Sequence, residues 1–295
     1  MLQTSEEWRV LNYDVVMNWP FPDVVQSYTK RDTILYALGI GYGREPTNEN
    51  DLRYVYESNL IAAPTFPVVL GSPGSWMKDE RVGINWLKTL HGEQGLRIFK
   101  PLPVEGSVIA RNRVVGVIDK GEGRGALMMM ERDLIDRVSG ELCAVRTATY
   151  FLRGDGGCGA PAAEQKPPHK MPDRSPDLIR DISSRPEAAL IYRLSGDYNA
   201  VHIDPEVAAR AGFERPILHG LCTYGMIGRV LVSALCNEDP TRLREIGGRF
   251  SAPVYPGETI SVDIWKEGAN RYSFRARIAE RNVIVFNNGL AEVSA

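Results

Sequence analysis

The sequence predicts an α+β fold built of two repeats, each an antiparallel sheet wrapped around a central helix. Three observations carry this. Leu221 to Leu235 contains a single charge, Arg229, in an otherwise apolar run, so it reads as a helix buried on most sides. The run is too short and too interrupted by glycine for a membrane span. Two landmarks recur at one spacing: Pro64 and Pro216, and again Pro101 and Pro253, stand 152 positions apart. The second pair opens strand-like runs, Ser107–Ala110 and Thr259–Val262, so the shared offset signals an internal duplication. Finally, Val114–Ile118, Ala126–Arg132, Glu141–Leu152, Ser273–Ala279 and Asn282–Phe286 read as short strands.

At 295 residues with 43% apolar content, the chain is long enough for two small domains or one doubled domain. A net charge of −2 argues against a nucleic-acid partner, which would ask for a basic face. Cys143, Cys158, Cys222 and Cys236 form no C-x-x-C pair and fit a reducing compartment better than a disulfide framework. Residues 1–8 lack the basic and apolar segments of a secretory signal. The chain ends Glu292-Val293-Ser294-Ala295, without a peroxisomal Ser-Lys-Leu. A cytoplasmic protein without a membrane partner is expected.

In chain order, residues 1 to 27 read as an irregular lead-in. Tyr28–Gly43 reads as a short helix whose G-x-G-x-G exit is a cap and turn, since these glycines do not join a strand to a helix. Residues 48 to 59 are polar and surface-like. With the 152-residue offset, Pro67 stands where His219 is and Val68 where Gly220 is, so the first repeat lacks the chemistry of the second. Gly71-Ser72-Pro73-Gly74-Ser75 falls where the second repeat continues as a helix; proline and glycine together break it and should leave apolar room beside Val68, Val69 and Leu70. His91, in Leu90-His91-Gly92-Glu93-Gln94, reads as a structural histidine, with contact to a ligand as the alternative. Asp119 to Gly125 is a hairpin turn, and Met128-Met129-Met130 is sheet packing rather than a metal site. The predicted units are a non-catalytic repeat over 1–153, a Gly/Pro-rich linker over 154–176 in which His169 is solvated, and a catalytic repeat over 177–295.

The segment Tyr192 to His202 carries the chemistry. Gly196-Asp197-Tyr198-Asn199-Ala200-Val201-His202 puts a carboxylate, an amide and an imidazole on a loop just before a helix start, with Asp204 at the N-cap and Pro205 at the first helical position. An Asp–His pair can exchange protons near neutral pH. An ordinary Asx-turn is the competing reading. A calcium loop is excluded, because it would need Gly and Glu where His202 and Ala208 stand. Gly220, at the start of the apolar helix, offers backbone N–H groups and a positive dipole end to an oxygen gaining negative charge.

Tyr192–His202, Leu218-His219-Gly220-Leu221 and Arg249–Thr259 together resemble the MaoC-like (R)-specific 2-enoyl-CoA hydratases, in their two-repeat branch. That family's motif runs Gly-Asp-x-Asn-Pro-Leu/Ile-His; here Gly196, Asp197, Asn199 and His202 are kept, and Ala200-Val201 replaces the central pair. The resemblance implies a double hot-dog fold and reversible hydration of a trans-2-enoyl-CoA to the (R)-3-hydroxyacyl-CoA, as in fatty acid metabolism. Asp197 and His202 would be catalytic, Asn199 and Gly220 substrate-binding, and Arg249 either a contact to a CoA phosphate or a structural ion pair. Room in the first repeat would take the acyl chain. No metal and no cofactor beyond the CoA of the substrate is expected, and a homodimer is the expected assembly. An acyl-CoA thioesterase, a dehydratase of an acyl-carrier-protein or short branched CoA ester, and a non-enzymatic acyl-CoA-binding subunit are the alternatives.

Overall fold

A computed structural model describes residues 11–294; the expectations for residues 1–10 and for Ala295 lie outside it. Ten strands form one sheet in which every pairing is antiparallel. The first half contributes β1 (Val24–Tyr28), β2 (Thr89–Ile98), β3 (Gly106–Asp119), β4 (Ala126–Asp136) and β5 (Leu142–Leu152). The second contributes β6 (Leu178–Ser183), β7 (Leu243–Phe250), β8 (Thr259–Lys266), β9 (Arg271–Ile278) and β10 (Val283–Val293). The order β1-β3-β4-β5-β2-β7-β10-β9-β8-β6 mirrors itself about the β2–β7 seam, as a duplicated unit should.

Charge and size set the register of that seam. Arg249 lies opposite Glu93 and Arg97 opposite Glu245, with N–O separations of 2.6 Å and 3.2 Å. Opposite charges directly across a strand pair favour one register over a slip. Gly248 lets β7 approach the Phe286 ring, which an added Cβ would meet at 2.4 Å.

The predicted irregular lead-in instead forms the helix α1 (Tyr13–Met17), capped by Asn12, and the edge strand β1. Ser107–Ala110 and Val114–Ile118 are one long strand, β3, with a register shift between Val114 and Gly116. Helix α2 (Lys30–Gly39) starts where Asp32 accepts from the Thr29 backbone and hydroxyl at 2.8 Å each, a capping arrangement. A one-turn helix α3 (Glu49–Leu52) follows. No regular element lies between the end of β5 and the start of β6. His169 in that connection is bound rather than solvated: its Nε2 lies 2.6 Å from Ser273 Oγ, and its carbonyl accepts from Asn288.

The second half opens with α4 (Ala188–Tyr192) and α5 (Pro205–Arg210), and its central helix is α6 (Gly220–Leu235). Most of α6 is buried. Gly225 and Gly228 let it press against the first half: a Cβ there would come 2.5 Å from Ile40 and from Thr65 respectively. One hydrophobic cluster therefore runs through both halves, joining Tyr36, Phe66 and Leu96 to Ile227, Ile246 and Phe286.

Among its described residues the first half has no counterpart of α6. Residues 66–88 form only 3-10 turns, Phe66–Val69, Trp76–Lys78, Glu80–Val82 and Trp86–Lys88. Between the first two, Gly71 takes a φ of +70° and lies so close to β3 that a Cβ would meet Ala110 at 2.1 Å; only glycine fits both demands. Part of the expected room is occupied by this segment itself. Val68 and Leu70 are buried in the shared cluster with Val69 packed beside them, while Trp76 and Val82 build a second cluster with Val16, Val114 and Met130.

Candidate active site

The loop after α4 is shaped by its own side chains. Gly196 has a φ of +112°, a conformation that favours glycine. Asp197 Oδ1 accepts from the Asn199 N–H and Asn199 Oδ1 from the Val201 N–H, both at 3.2 Å. The Asx turns that competed with a functional reading are thus present, and they do work for the site: Asn199 caps the 3-10 turn Ala200–His202 that presents His202. Asp204 then caps α5 through the Glu206 and Val207 N–H groups.

Asp197 is exposed and His202 buried. His202 Nδ1 lies 2.9 Å from the Ile217 carbonyl; a carbonyl can only accept, so Nδ1 carries the proton and Nε2 keeps its lone pair. Burial lowers the His202 pKa, opposed by the Ile217 hydrogen bond and by the Asp197 carboxylate. This imidazole is neutral at physiological pH, as a proton acceptor must be.

His219 completes the cluster. Its ring stacks on His202 with centroids 3.7 Å apart and planes 27° from parallel. Its Nε2 donates to the Asp197 backbone carbonyl at 3.1 Å, tying the loop to the start of α6. Nδ1 is sealed from solvent without a protein partner, as is the hydroxyl of Tyr192, whose ring stands 5.1 Å from His219. Burial and then His202 hold the His219 pKa well below the usual imidazole value, against the pull of Asp197. A carboxylate oxygen and two imidazole nitrogens of Asp197, His202 and His219 lie within 4.8 Å of one another. Such a set can hold a divalent ion, but near-parallel rings direct their in-plane lone pairs side by side rather than at one point.

Gly220 opens α6 beside this cluster. The helix carries no side-chain cap, so its leading N–H groups face outward. Gly220 is exposed, with the Phe250 ring 3.2 Å from where a Cβ would stand; a larger residue here would press on that ring.

Asp197, Asn199, His202 and Gly220 are therefore gathered on one loop and one helix start. Arg249 is not: on β7 it donates from Nε and Nη2 to Glu93 Oε1 at 3.0 Å and 2.6 Å, the ion-pair geometry. His91 lies between the Tyr150 and Phe250 rings, each 5.1 Å away, with Nε2 unpartnered. Sequence reasoning quoted His219 and Tyr192 without assigning them a role; the signal was the Leu-His-Gly run, but stacking between residues 17 positions apart is a tertiary event. A cavity of about 270 Å³ lined by Pro64, Pro67, Ile98 and Leu102 shares no residue with this cluster.

The buried imidazoles make the fold acid-labile. Burial and Arg146 push His91 down to about 3, and His202 and His219 are also lowered. An unfolded chain binds these protons near pH 6.5, so stability is full above that value and falls as pH drops toward about 3. Urea midpoints should decline steadily from pH 7 to 4.5, and His91→Phe should flatten the decline. An unchanged slope in that variant would remove His91 from the account.

Comparison with known proteins agrees with this architecture. Residues 167–288 match the family described as MaoC like domain, and residues 26–154 match the MFE-2 hydratase 2 N-terminal domain. The chain is 37% identical over 290 residues to "Enoyl-CoA hydratase 2, peroxisomal" of Arabidopsis thaliana, covering 93% of each chain. It is 40% identical over 257 residues to "3-hydroxyacyl-thioester dehydratase Y" of Mycobacterium tuberculosis, covering 85% of this chain and 87% of that one. The crystal structure of a MaoC-like dehydratase from Phytophthora capsici aligns with a TM-score of 0.84 at 34% identity, covering 95% of this chain and 98% of that one. The sheet and its central helix are those of a double hot-dog fold.

Proposed function

The chain belongs to the MaoC-like family in its two-repeat, hydratase 2 branch, and from that premise we propose that it adds water reversibly to a trans-2-enoyl-CoA to give the (R)-3-hydroxyacyl-CoA. It is an enzyme of the hydratase and dehydratase class. The observation that carries the finer reading is the convergence of Asp197 and His202 beside the uncapped start of α6. The thioester carbonyl lies against the Gly220 N–H. Asp197 and His202 Nε2 hold one water between them. As its oxygen bonds to C3, the pair takes its proton and the C2=C3 electrons move toward the thioester oxygen, where the helix start stabilises them. A proton delivered to C2 completes the addition, and microscopic reversibility runs the same groups backward for dehydration. Asn199 acts through the loop, by holding the turn that aims His202.

This chemistry asks for no metal or redox cofactor. Assembly as a homodimer and residence in the cytoplasm belong to the same proposal; the Arabidopsis relative is named as peroxisomal, and fractionation of the native protein decides between compartments. No helix among the described residues is long and apolar enough to cross a membrane.

Incubation with a 2-enoyl-CoA should abolish the conjugated-thioester absorbance without freeing thiol, because the water is held for C3 and not for the carbonyl carbon. Stoichiometric thiol would mean a thioesterase. Chiral analysis should return the (R) alcohol; an (S) product would break the stereochemical assignment. Activity should persist below the pH at which an ordinary histidine protonates, since the His202 pKa is lowered.

A further inference from the structure

The concave face of the first repeat is crossed by a row of buried polar side chains. Asn112 on β3 pairs with Arg132 on β4, and Arg132 pairs with Arg146 on β5; Gln94 on β2 reaches Arg146 Nε at 3.0 Å. All four are buried, Arg132 at 5% and Arg146 at 6% exposure. Below the row lie Ala110, Leu134 and Ala144 of the shared core, with Leu96 directly opposite Arg146 on β2, and above it Val114 and Met130 of the second cluster. The row therefore interrupts a face that is otherwise apolar.

Two guanidiniums side by side carry two charges, and no salt bridge among the described residues balances them. Glu131 and Asp133 flank Arg132 in sequence, but strand alternation turns them to the other face, where both bind Arg113. Among the described residues no carboxylate lies within 4 Å of Arg132 or Arg146. Burial, and then Arg146, bring Arg132 down to about 9, so it remains charged at neutral pH. An uncompensated buried charge costs several kcal/mol.

A structural duty accounts for one of the pair. Arg132 donates to Asn112 Oδ1 at 2.8 Å and to the Leu70 carbonyl at 2.6 Å, and Asn112 donates to the Gly71 carbonyl at 3.1 Å; these bonds satisfy backbone that the missing helix leaves open. Arg146 has no such duty. Its Nε is taken by Gln94, and its terminal amino groups meet no acceptor among the described residues. Its neighbours on the same face of β5 are the small Ala144 and Ala148, and Leu96 stands opposite it on β2. Its charge acts on His91, Tyr192 and Tyr224, and His91 Nε2 is a second unpartnered polar atom in this interior. Tyr192 in turn stands against His219. Ring contacts also lead from the start of α6 to the strand of Arg146: the Phe250 ring faces Gly220, His91 stands 5.1 Å from Phe250 and 5.1 Å from Tyr150, and Tyr150 lies on β5 with Arg146.

We propose that Arg146, seconded by Arg132, binds a carboxylate at the far end of the acyl chain, so that this enzyme's substrates are enoyl thioesters with an anionic tail; the inference rests on the hydratase reading above. An apolar tail would instead be driven against two unpaired charges, which gives the site its selectivity as well as its affinity.

The test compares two 2-enoyl-CoA esters of equal length, one ending in methyl and one in carboxylate, on the full chain. The carboxylate-ended ester should have the higher kcat/KM by at least about 10-fold, and Arg146→Met should lower it about 30-fold or more while leaving the methyl-ended ester within about 3-fold. Arg146→Lys should recover part of the loss, which a merely structural role would not predict. Calorimetry with the saturated carboxylate-ended CoA should show binding that Arg146→Met weakens. Preference for the methyl-ended ester, or equal losses on both, would overturn the proposal. If chloride or phosphate raises the melting temperature of the wild type but not of Arg146→Met, and the two esters react equally, the row holds a free inorganic anion and the substrate assignment falls. If neither ester is hydrated but the saturated analogue still binds through Arg146, the hydratase reading fails and the anion site stands.

Discussion

Asp197→Asn is expected to lower turnover on a 2-enoyl-CoA by at least about 100-fold, within the usual range for loss of a general acid or base, without a measurable change in melting temperature. The side chain is exposed, and its local bond, accepted from the Asn199 N–H, can be made by an amide oxygen as well. His202→Gln should cost at least as much activity but should also cost some stability, because the imidazole is buried, stacked on His219 and bonded to the Ile217 carbonyl. The contrast is informative: Asp197 tests the chemistry alone, whereas His202 tests chemistry and packing together. Hydration measured by loss of absorbance, beside a thermal melt of each variant, separates the two. Near-normal hydration by Asp197→Asn would remove it from the mechanism, whatever His202 does.

The geometry of the Asp197–His202 loop was legible because it is local. Gly196 to Pro205 encodes its own turns, caps and 3-10 geometry within ten residues, so reading the residues in order places Asp197 and His202 together. Helix α6 was legible because an apolar run with one charge has few other fates. The seam was not. β2 holds Gly92 and Gly95 and β7 holds Gly247 and Gly248, each strand also carrying charged residues near its glycines, so neither alternates as a strand reading requires, although together they join the halves. Across the seam each is the other's partner, Leu96 with Ile246 for example, far apart in sequence, and it is the pairing that makes them strands. The stacking of His219 on His202 and the row Asn112-Arg132-Arg146-Gln94 escaped for the same reason. An arginine inside a strand-like run reads as a solvated position until the sheet shows which face is inward. The broken helix of the first repeat was visible from Gly71 to Ser75, but not that Gly71 would carry the chain down onto Ala110.

Asp51→Ala should destabilise the fold by about 3–5 kcal/mol, the range for removing one partner of a buried ion pair. Arg229 is the lone charge in α6, and the apolar surroundings of that helix leave it dependent on Asp51, which is 4% exposed and accepts from Arg229 Nη2 at 2.9 Å and 3.0 Å. Arg229 also donates to the Gly41 carbonyl and lies over the Tyr42 ring, 4.7 Å from its centroid, while Asp51 accepts from the Gly43 N–H at 3.1 Å. The pair therefore clamps the glycine-rich exit of α2 and the turn α3 onto α6, the helix whose other end opens beside His219 and His202. Removing Asp51 leaves a charge with no counterion; removing both charges does not. The double variant Asp51→Ala/Arg229→Met should accordingly recover much of the lost stability in urea unfolding, since a methionine can fill apolar space without a charge to satisfy. A loss under about 1 kcal/mol in Asp51→Ala, well below the range for such pairs, would mean that water reaches Arg229 and the site is not sealed. A double variant no more stable than the single would show that the hydrogen bond from Arg229 to Gly41, rather than charge balance, is what the helix needs.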